Sequence, residues 1–221
     1  MSLTEELRLM AEKGRAKRPP AVQVIMDAAA AELADLRIVE NSLGEGSVAP
    51  DFRLPNVHGE EVTLRELLSR GPVVMSFYRG GWCPYCNVEL RYLQQYLPRF
   101  REFGATLVAI SPQTPDHSLS TAEKNGLEFE VLSDVGSEVA RRFGLVFTLP
   151  EGLRPLYRKM GHDIPAHNGT DTFELPLPAT YVLDGDGIVA RAFVDLDHTK
   201  RLDPEDILAV LEALRTTARA S

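Results

Sequence analysis

The chain has 221 residues, 44% of them apolar and 25% charged, with a formal net charge of −8. That make-up suits one folded, water-soluble unit with an extension, and the acidic balance argues against nucleic acid or an anionic membrane as partner. No apolar run nears the roughly 20 residues of a membrane span. The opening MSLTEELRLMAEKGRAKRPP lacks the continuous apolar segment of a secretory signal, so a cytoplasmic, reducing setting is expected.

Residues 1–45 read as a helical extension. In AVQVIMDAAAAELADLRIVE, Val22, Ile25, Ala29, Leu33 and Leu36 recur at helical spacing after Pro19 and Pro20. Such a stripe must be buried against the main domain or against a second subunit, which makes a homodimer one expectation. NSLGEGSVAPDFRLP breaks the pattern, and the main domain is set at 46–216, with a tail at 217–221.

From residue 51 the order alternates. DFRLP and EEVTL suggest a hairpin around His58-Gly59, LRELLSR a short helix, and PVVMSFY a strand buried on both faces. PYCNVELRYLQQYLPRF carries Leu90, Leu93, Leu97 and Phe100 on one helical stripe, with a kink expected at Pro98. ATLVAIS and LEFEVLS are strands around the helix DHSLSTAEKNG, and GSEVARRFG is a helix ending at Gly144. PEGLRPLYRKMG suggests another short helix. Residues 161–178 show no periodicity and read as a structureless loop over the site. ATYVLD and IVARAFVDL flank GDG as a hairpin, and DPEDILAVLEALR closes the chain as a helix with Asp203 as N-cap and Pro204 at N1. The fold class is α/β, a central mixed sheet flanked by helices.

The only two cysteines, Cys83 and Cys86, sit together in RGGWCPYC, between a buried strand and a helix. Pro84 suits the first helical position, so Cys83 falls near the N-cap and Cys86 one turn in. The free N–H groups and the helix dipole favour a thiolate there. Arg79 adds positive charge, while Gly80 and Gly81 let the chain turn and leave the sulfur accessible. Three residues apart on a helix, the pair can close a disulfide after attack on a disulfide or a peroxide. Structural zinc would need four ligands; the five histidines offer only His162 and His167 at a suitable spacing, in an irregular stretch, so no metal is expected. His117, His162 and His167 read as loop histidines, Tyr85 as exposed, and Trp82 as core that also shapes the sulfur's surroundings. No glycine-rich phosphate loop follows a strand, so no nucleotide cofactor is implied.

With these residues in hand, the chain resembles the AhpC/TSA peroxiredoxin-like branch of the thioredoxin-like superfamily over about residues 44–198. The resemblance rests on GSVAPDFRLPNVHGEEVTL, VVMSFYRGGWCPYC, LVAISPQTP, LEFEVLSD and PATYVLDGDGIVARAF. It implies a thioredoxin-like fold and a thiol-dependent peroxidase acting on hydrogen peroxide or organic hydroperoxides. No cofactor is implied beyond the thiols, and a thioredoxin or glutathione system would supply electrons. Two alternatives stand beside it: thioredoxin-like exchange with protein or glutathione disulfides, and a non-enzymatic redox-sensing module.

The active-site pattern departs from the family's Pro-x-x-x-Thr-x-x-Cys. Laid on residues 79–86, that pattern puts Arg79 at the proline, Cys83 at the threonine and Cys86 at the peroxidatic cysteine. Pro178 stands where the family's second arginine belongs, and it is similar instead to the cis-proline that faces the dithiol in thioredoxins and glutaredoxins, as WCPYC is to their redox motifs. Arg79 approaching from the other side could replace the missing arginine. Which sulfur attacks first stays open: the helix end favours Cys83 and the peroxiredoxin alignment favours Cys86.

Overall fold

The computed structural model describes residues 1–220, with side chains to residue 217. In chain order the elements are α1 (Leu3–Ala16), α2 (Pro20–Asp35), α3 (Ile38–Asn41), β1 (Arg53–Pro55), β2 (Glu61–Thr63), α4 (Leu64–Leu68), β3 (Val73–Phe77), α5 (Pro84–Glu102), β4 (Thr106–Ser111) and α6 (Pro115–Asn125). Then come β5 (Glu130–Ser133), α7 (Glu138–Arg142), β6 (Val146–Thr148), a 3₁₀ turn at Glu151–Leu153, α8 (Arg154–Lys159), α9 (Ile164–Asn168), β7 (Glu174–Pro176), β8 (Ala179–Leu183), β9 (Val189–Val194) and α10 (Pro204–Ala220).

The main sheet has the order β5-β4-β3-β8-β9. Central β3 runs parallel to β4 and antiparallel to β8, and all five of its residues are buried. Strand alternation sorts them. Met75 and Phe77 point to a core that holds the Phe77–Phe143–Tyr181 ring cluster. Val74 faces Leu93, Leu97 and Phe100 of α5 and Ile207, Leu208 and Leu211 of α10. Ser76, on Val74's face, lies under α5. The β1–β2 hairpin is antiparallel, as read from its sequence.

Helix α5 runs unbroken through Pro98. Its N-terminal half carries α1, with Leu3 and Leu7 packed on Val88. The predicted stripe divides: Ala29 and Leu33 join a cluster with Leu149, Leu153 and Tyr157 of the same chain, with Met26 beside them, while Ile25 and Leu36 stay exposed, as does Val24.

Two expectations need correction. Residues 161–178 are not structureless. Asp163 accepts from Ala166 N at 3.4 Å and opens α9, Gly169 ends it in the left-handed conformation, and β7 pairs antiparallel with β6. A five-residue helix and a three-residue strand are too short to leave a period in the sequence. Residues 217–220, read as a tail, continue α10 because nothing there breaks a helix; Ser221 lies outside the described residues.

Candidate redox site

The backbone brings the two cysteines to the mouth of α5 through a tight turn after β3. Gly80 sits at φ 143°; a side chain there would fall against Trp82 Nε1 and 2.7 Å from Gln113 Oε1. Gln113, buried two residues past β4, accepts from Gly81 N at 2.6 Å and donates to Thr121 Oγ1 at 3.1 Å. Cys83 N donates to Gly80 O at 3.0 Å, closing the turn. Asn87 Nδ2 ties Gly81 O and Cys83 O together at 2.8 and 3.0 Å. Cys83 is the N-cap, in extended conformation, and exposed Pro84 is at N1, as its missing N–H allows.

Both thiols are free, and both are buried. Cys83 is only 2% exposed, so the accessible sulfur expected from the two glycines is not found. Half-buried Trp82 and Tyr85 pack beside it. The His198 ring stands edge-on to Tyr85 at 5.6 Å, and the C-terminal part of α1 brings Gly14 over Tyr85, so Tyr85 is not the exposed residue expected.

The two sulfurs are electrostatically unlike. The neighbouring Cys86 thiol, one helical turn on, has the largest influence on Cys83 and favours its ionised form. Burial opposes ionisation, but the guanidinium groups of Arg79 and Arg201 and the N–H of Cys86 favour it, and the Cys83 thiol is held down at about 6. Cys86 is pushed well above the ordinary thiol range by burial, by the proton it shares with Cys83 and by the charge of that neighbour. Near neutrality the pair is therefore a thiolate beside a thiol.

Two buried arginines frame the pair. Arg79, 3% exposed, packs its guanidinium carbon 4.9 Å from the Trp82 ring centroid and 5.6 Å from that of Tyr157, and Nη2 donates to Tyr157 Oη. Its Nε has no partner among the described residues. Arg201 donates through Nη2 to Cys86 Sγ at 3.4 Å and through Nη1 to His198 O and Lys200 O at 2.7 and 2.6 Å. Its Nε pairs with Glu89 in a wholly buried ion pair. Ser76 Oγ donates to the other Glu89 oxygen at 3.3 Å. Burial lifts the Glu89 carboxyl to about 7 although Arg201 opposes it. Burial and the two arginines push His198 down to about 3, leaving it neutral.

The structure thus brings Cys83, Cys86, Arg79, Trp82 and Pro84 to one place. Pro178 is buried just before β8, but the chain has no cis peptide bond among the described residues, so the cis bond implied for it is absent. The chain crosses from β7 to β8 in two residues, with Leu177 N held by Leu145 O at 2.9 Å. His117 and His167 are helical, with ring centroids 4.6 Å apart; His162 packs 5.0 Å from Trp82. No group of residues suited to a metal ion occurs among the described residues. Sequence reasoning missed Arg201, Glu89 and Tyr157. Glu89 did carry a signal, since it lies three residues after Cys86 and so shares its buried helix face.

A model of the AhpC/TSA family matches residues 46–192. The thiol-disulfide oxidoreductase ResA of Bacillus thuringiensis subsp. konkukian is 24% identical over 153 residues, 69% of this chain and 70% of its own. Peroxiredoxin Bcp of Escherichia coli K12 is 32% identical over 105 residues, 48% of this chain and 67% of its own. Among solved structures, peroxidoxin BcpB from Mycobacterium tuberculosis superposes with a TM-score of 0.61 at 26% identity, covering 77% of this chain and 97% of that one. The mixed five-stranded sheet with its flanking helices is the thioredoxin-like fold of these proteins.

Proposed function

The chain belongs to the AhpC/TSA family, and on that footing we propose that it is a thiol-dependent peroxidase in which Cys83 attacks and Cys86 resolves. The observation that carries the assignment is the setting of Cys83, the N-cap of α5 with Cys86 three residues on and the buried guanidinium of Arg79 favouring its thiolate, while burial holds Cys86 protonated. In the first step the Cys83 thiolate attacks the terminal oxygen of ROOH. The O–O bond breaks, Cys83 becomes the sulfenic acid, and the alkoxide takes a proton to leave as ROH. In the second step Cys86 sulfur attacks the sulfenic sulfur. An S–S bond forms, and hydroxide leaves with the Cys86 proton as water. Two electrons from a thiol donor, of the thioredoxin or glutathione type, then restore the dithiol.

Burial supports a small oxidant. With Cys83 2% exposed, hydrogen peroxide or a small hydroperoxide reaches the sulfur more readily than a protein disulfide. Thiol-disulfide exchange, the activity printed in the name of ResA, is the second reading, supported by the N-cap position of Cys83 and the three-residue spacing. Either chemistry suits a reducing compartment, and no helix among the described residues is long and apolar enough to cross a membrane. Pairing of subunits through the exposed part of α2 belongs to the same proposal and is checked by sedimentation.

Stopped-flow mixing of the reduced protein with hydrogen peroxide tests the main reading. Both thiols are expected to disappear as one peroxide is consumed. Cys83→Ser is expected to abolish the reaction, and Cys86→Ser to leave a sulfenic acid on Cys83 that a dimedone-type reagent traps. Persistence of both thiols over minutes would remove peroxidase activity from consideration.

A further inference from the structure

Thiolate attack on a hydroperoxide expels an alkoxide or hydroxide, which leaves readily only if its charge is stabilised or it receives a proton as the bond breaks. The positions where the family resemblance calls for a threonine and an arginine are occupied by Cys83 and Pro178, so both services must come from elsewhere. We propose that the Tyr157 hydroxyl, carried by α8, is the proton donor to the leaving oxygen, with the Arg79 guanidinium beside it holding the charge. This rests on the peroxidase reading and adds a catalytic residue to it.

Three observations converge on Tyr157. First, the side chain is buried, and its ring lies 5.7 Å from that of Trp82, the residue preceding Cys83. Second, its oxygen accepts a hydrogen bond from Arg79 Nη2, so its own proton points elsewhere, and among the described residues it donates to nothing. A buried hydroxyl proton without an acceptor is unusual, and it is free to meet a ligand oxygen. Third, Arg79 is itself under-used. No carboxylate among the described residues lies within ion-pair distance of it, and its Nε is unpartnered although the residue is buried. Burial works against its charge, and the ionised Cys83 sulfur favours it. A cation with free hydrogen-bonding capacity, flanked by a nucleophile and a hydroxyl, matches the needs of an O–O bond under attack. The His162 ring, 5.0 Å from Trp82 and 6.0 Å from Tyr157, closes the same side.

The step balances. Cys83–S⁻ and ROOH give Cys83–SOH and RO⁻; RO⁻ takes the Tyr157 proton to leave as ROH; the tyrosinate, held by Arg79, is reprotonated from solvent.

Leaving-group dependence separates a proton donor from a prop for Arg79. Reduced wild type and Tyr157→Phe are mixed with hydrogen peroxide, tert-butyl hydroperoxide, peracetic acid and iodoacetamide. The first two expel strongly basic oxyanions, while a carboxylate or an iodide needs no proton. The variant is expected to slow by at least about tenfold with the two hydroperoxides and by less than about twofold with the other two reagents. The iodoacetamide rate also reports an intact site. On wild type, the hydroperoxide reaction is expected to show a normal solvent deuterium isotope effect that vanishes with peracetic acid, a readout that does not depend on the variant folding. Equal slowing with all four reagents, no slowing with any, or an isotope effect indifferent to leaving group would overturn the assignment to Tyr157. A wild type that is alkylated but inert to hydroperoxides would instead remove the peroxidase reading, and this one with it.

Discussion

The asymmetry of the two thiols can be measured by removing the neighbouring Cys86 thiol, the largest influence on Cys83. At an ordinary thiol value of 9.0, about one sulfur in a hundred is ionised at pH 7; with Cys83 at about 6, roughly nine in ten are. Three units correspond to about 4 kcal/mol of preference for the thiolate. A hydrogen bond to a charged group contributes about 1.5–3 kcal/mol of that, or about one to two units. Cys86→Ala deletes the donor and leaves Arg79, Arg201 and the residue 86 amide in place. Its Cys83 midpoint is therefore expected at about 7–8, and its alkylation at pH 7 about two- to tenfold slower than wild type. Cys86→Ser keeps an O–H donor at nearly the same place and is expected to stay closer to wild type. The assay is the rate of iodoacetamide alkylation against pH, with thiolate absorbance as a second reading. A wild-type midpoint in the ordinary thiol range, or a Cys86→Ala midpoint that does not move, refutes the argument that the neighbouring thiol sets the nucleophile.

Arg79→Met keeps most of the side-chain volume and removes the charge that favours ionised Cys83. Its alkylation midpoint is expected to rise, and its reaction with hydrogen peroxide to slow by more than the lost thiolate accounts for, since the oxyanion also loses its cation. Gly80→Ala must displace the Trp82 indole or the Gln113 amide from a backbone at φ 143°. A loss of about 1–3 kcal/mol in urea unfolding is expected, together with a shift in the emission of this single tryptophan. Arg201→Met leaves Glu89 buried without its cation. Its carboxyl, already raised to about 7, rises further, and a carboxyl raised above its unfolded value costs stability as pH climbs through that interval. Cys83 acts in the same sense: its depressed value stabilises the fold above the unfolded value of 9.0 and loses that gain as pH falls through about 6, and removing Arg201 shrinks the gain. The deficit of reduced Arg201→Met is therefore expected to be small near pH 5 and to grow to about 3–5 kcal/mol in the alkaline range; a deficit independent of pH contradicts the assignment.

What was legible in the sequence follows the reach of each signal. Strand β3 and helix α5 were readable because continuous burial and a 3.6-residue stripe are local patterns, and Cys83 at the N-cap followed from Pro84 alone. α9 and β7 escaped because their caps and pairing depend on Asp163 and on a partner strand some thirty residues earlier. Arg201 and Tyr157 escaped for a different reason. One stands in a coil before α10 and the other in a six-residue helix, and each reaches the site through tertiary packing that spacing does not encode. Accessibility was misread because Gly80 and Gly81 suggested an open turn, whereas Gln113, Thr121 and Trp82 fill the space their missing side chains leave.

The same packing explains why two arginines beside two cysteines do not ionise both. Arg201 contacts Cys86 directly, and by proximity alone would make it the thiolate. Arg201 is also paired with Glu89, three residues along the same helix from Cys86, and that carboxylate offsets part of its charge. Arg79 has no such counter-ion, and Cys83 is favoured as a thiolate first by the neighbouring Cys86 thiol, then by Arg79 and Arg201, the residue 86 amide and the positive end of α5. Burial first, and then the shared proton and like charge of an ionised Cys83, hold Cys86 neutral. Neutralising Glu89 alone should therefore release the Arg201 charge onto Cys86 and narrow the gap between the two sulfurs. Glu89→Gln is expected to let Cys86 begin to alkylate at lower pH in a Cys83→Ser background, and an unchanged Cys86 profile would show that Glu89 does not mask the arginine.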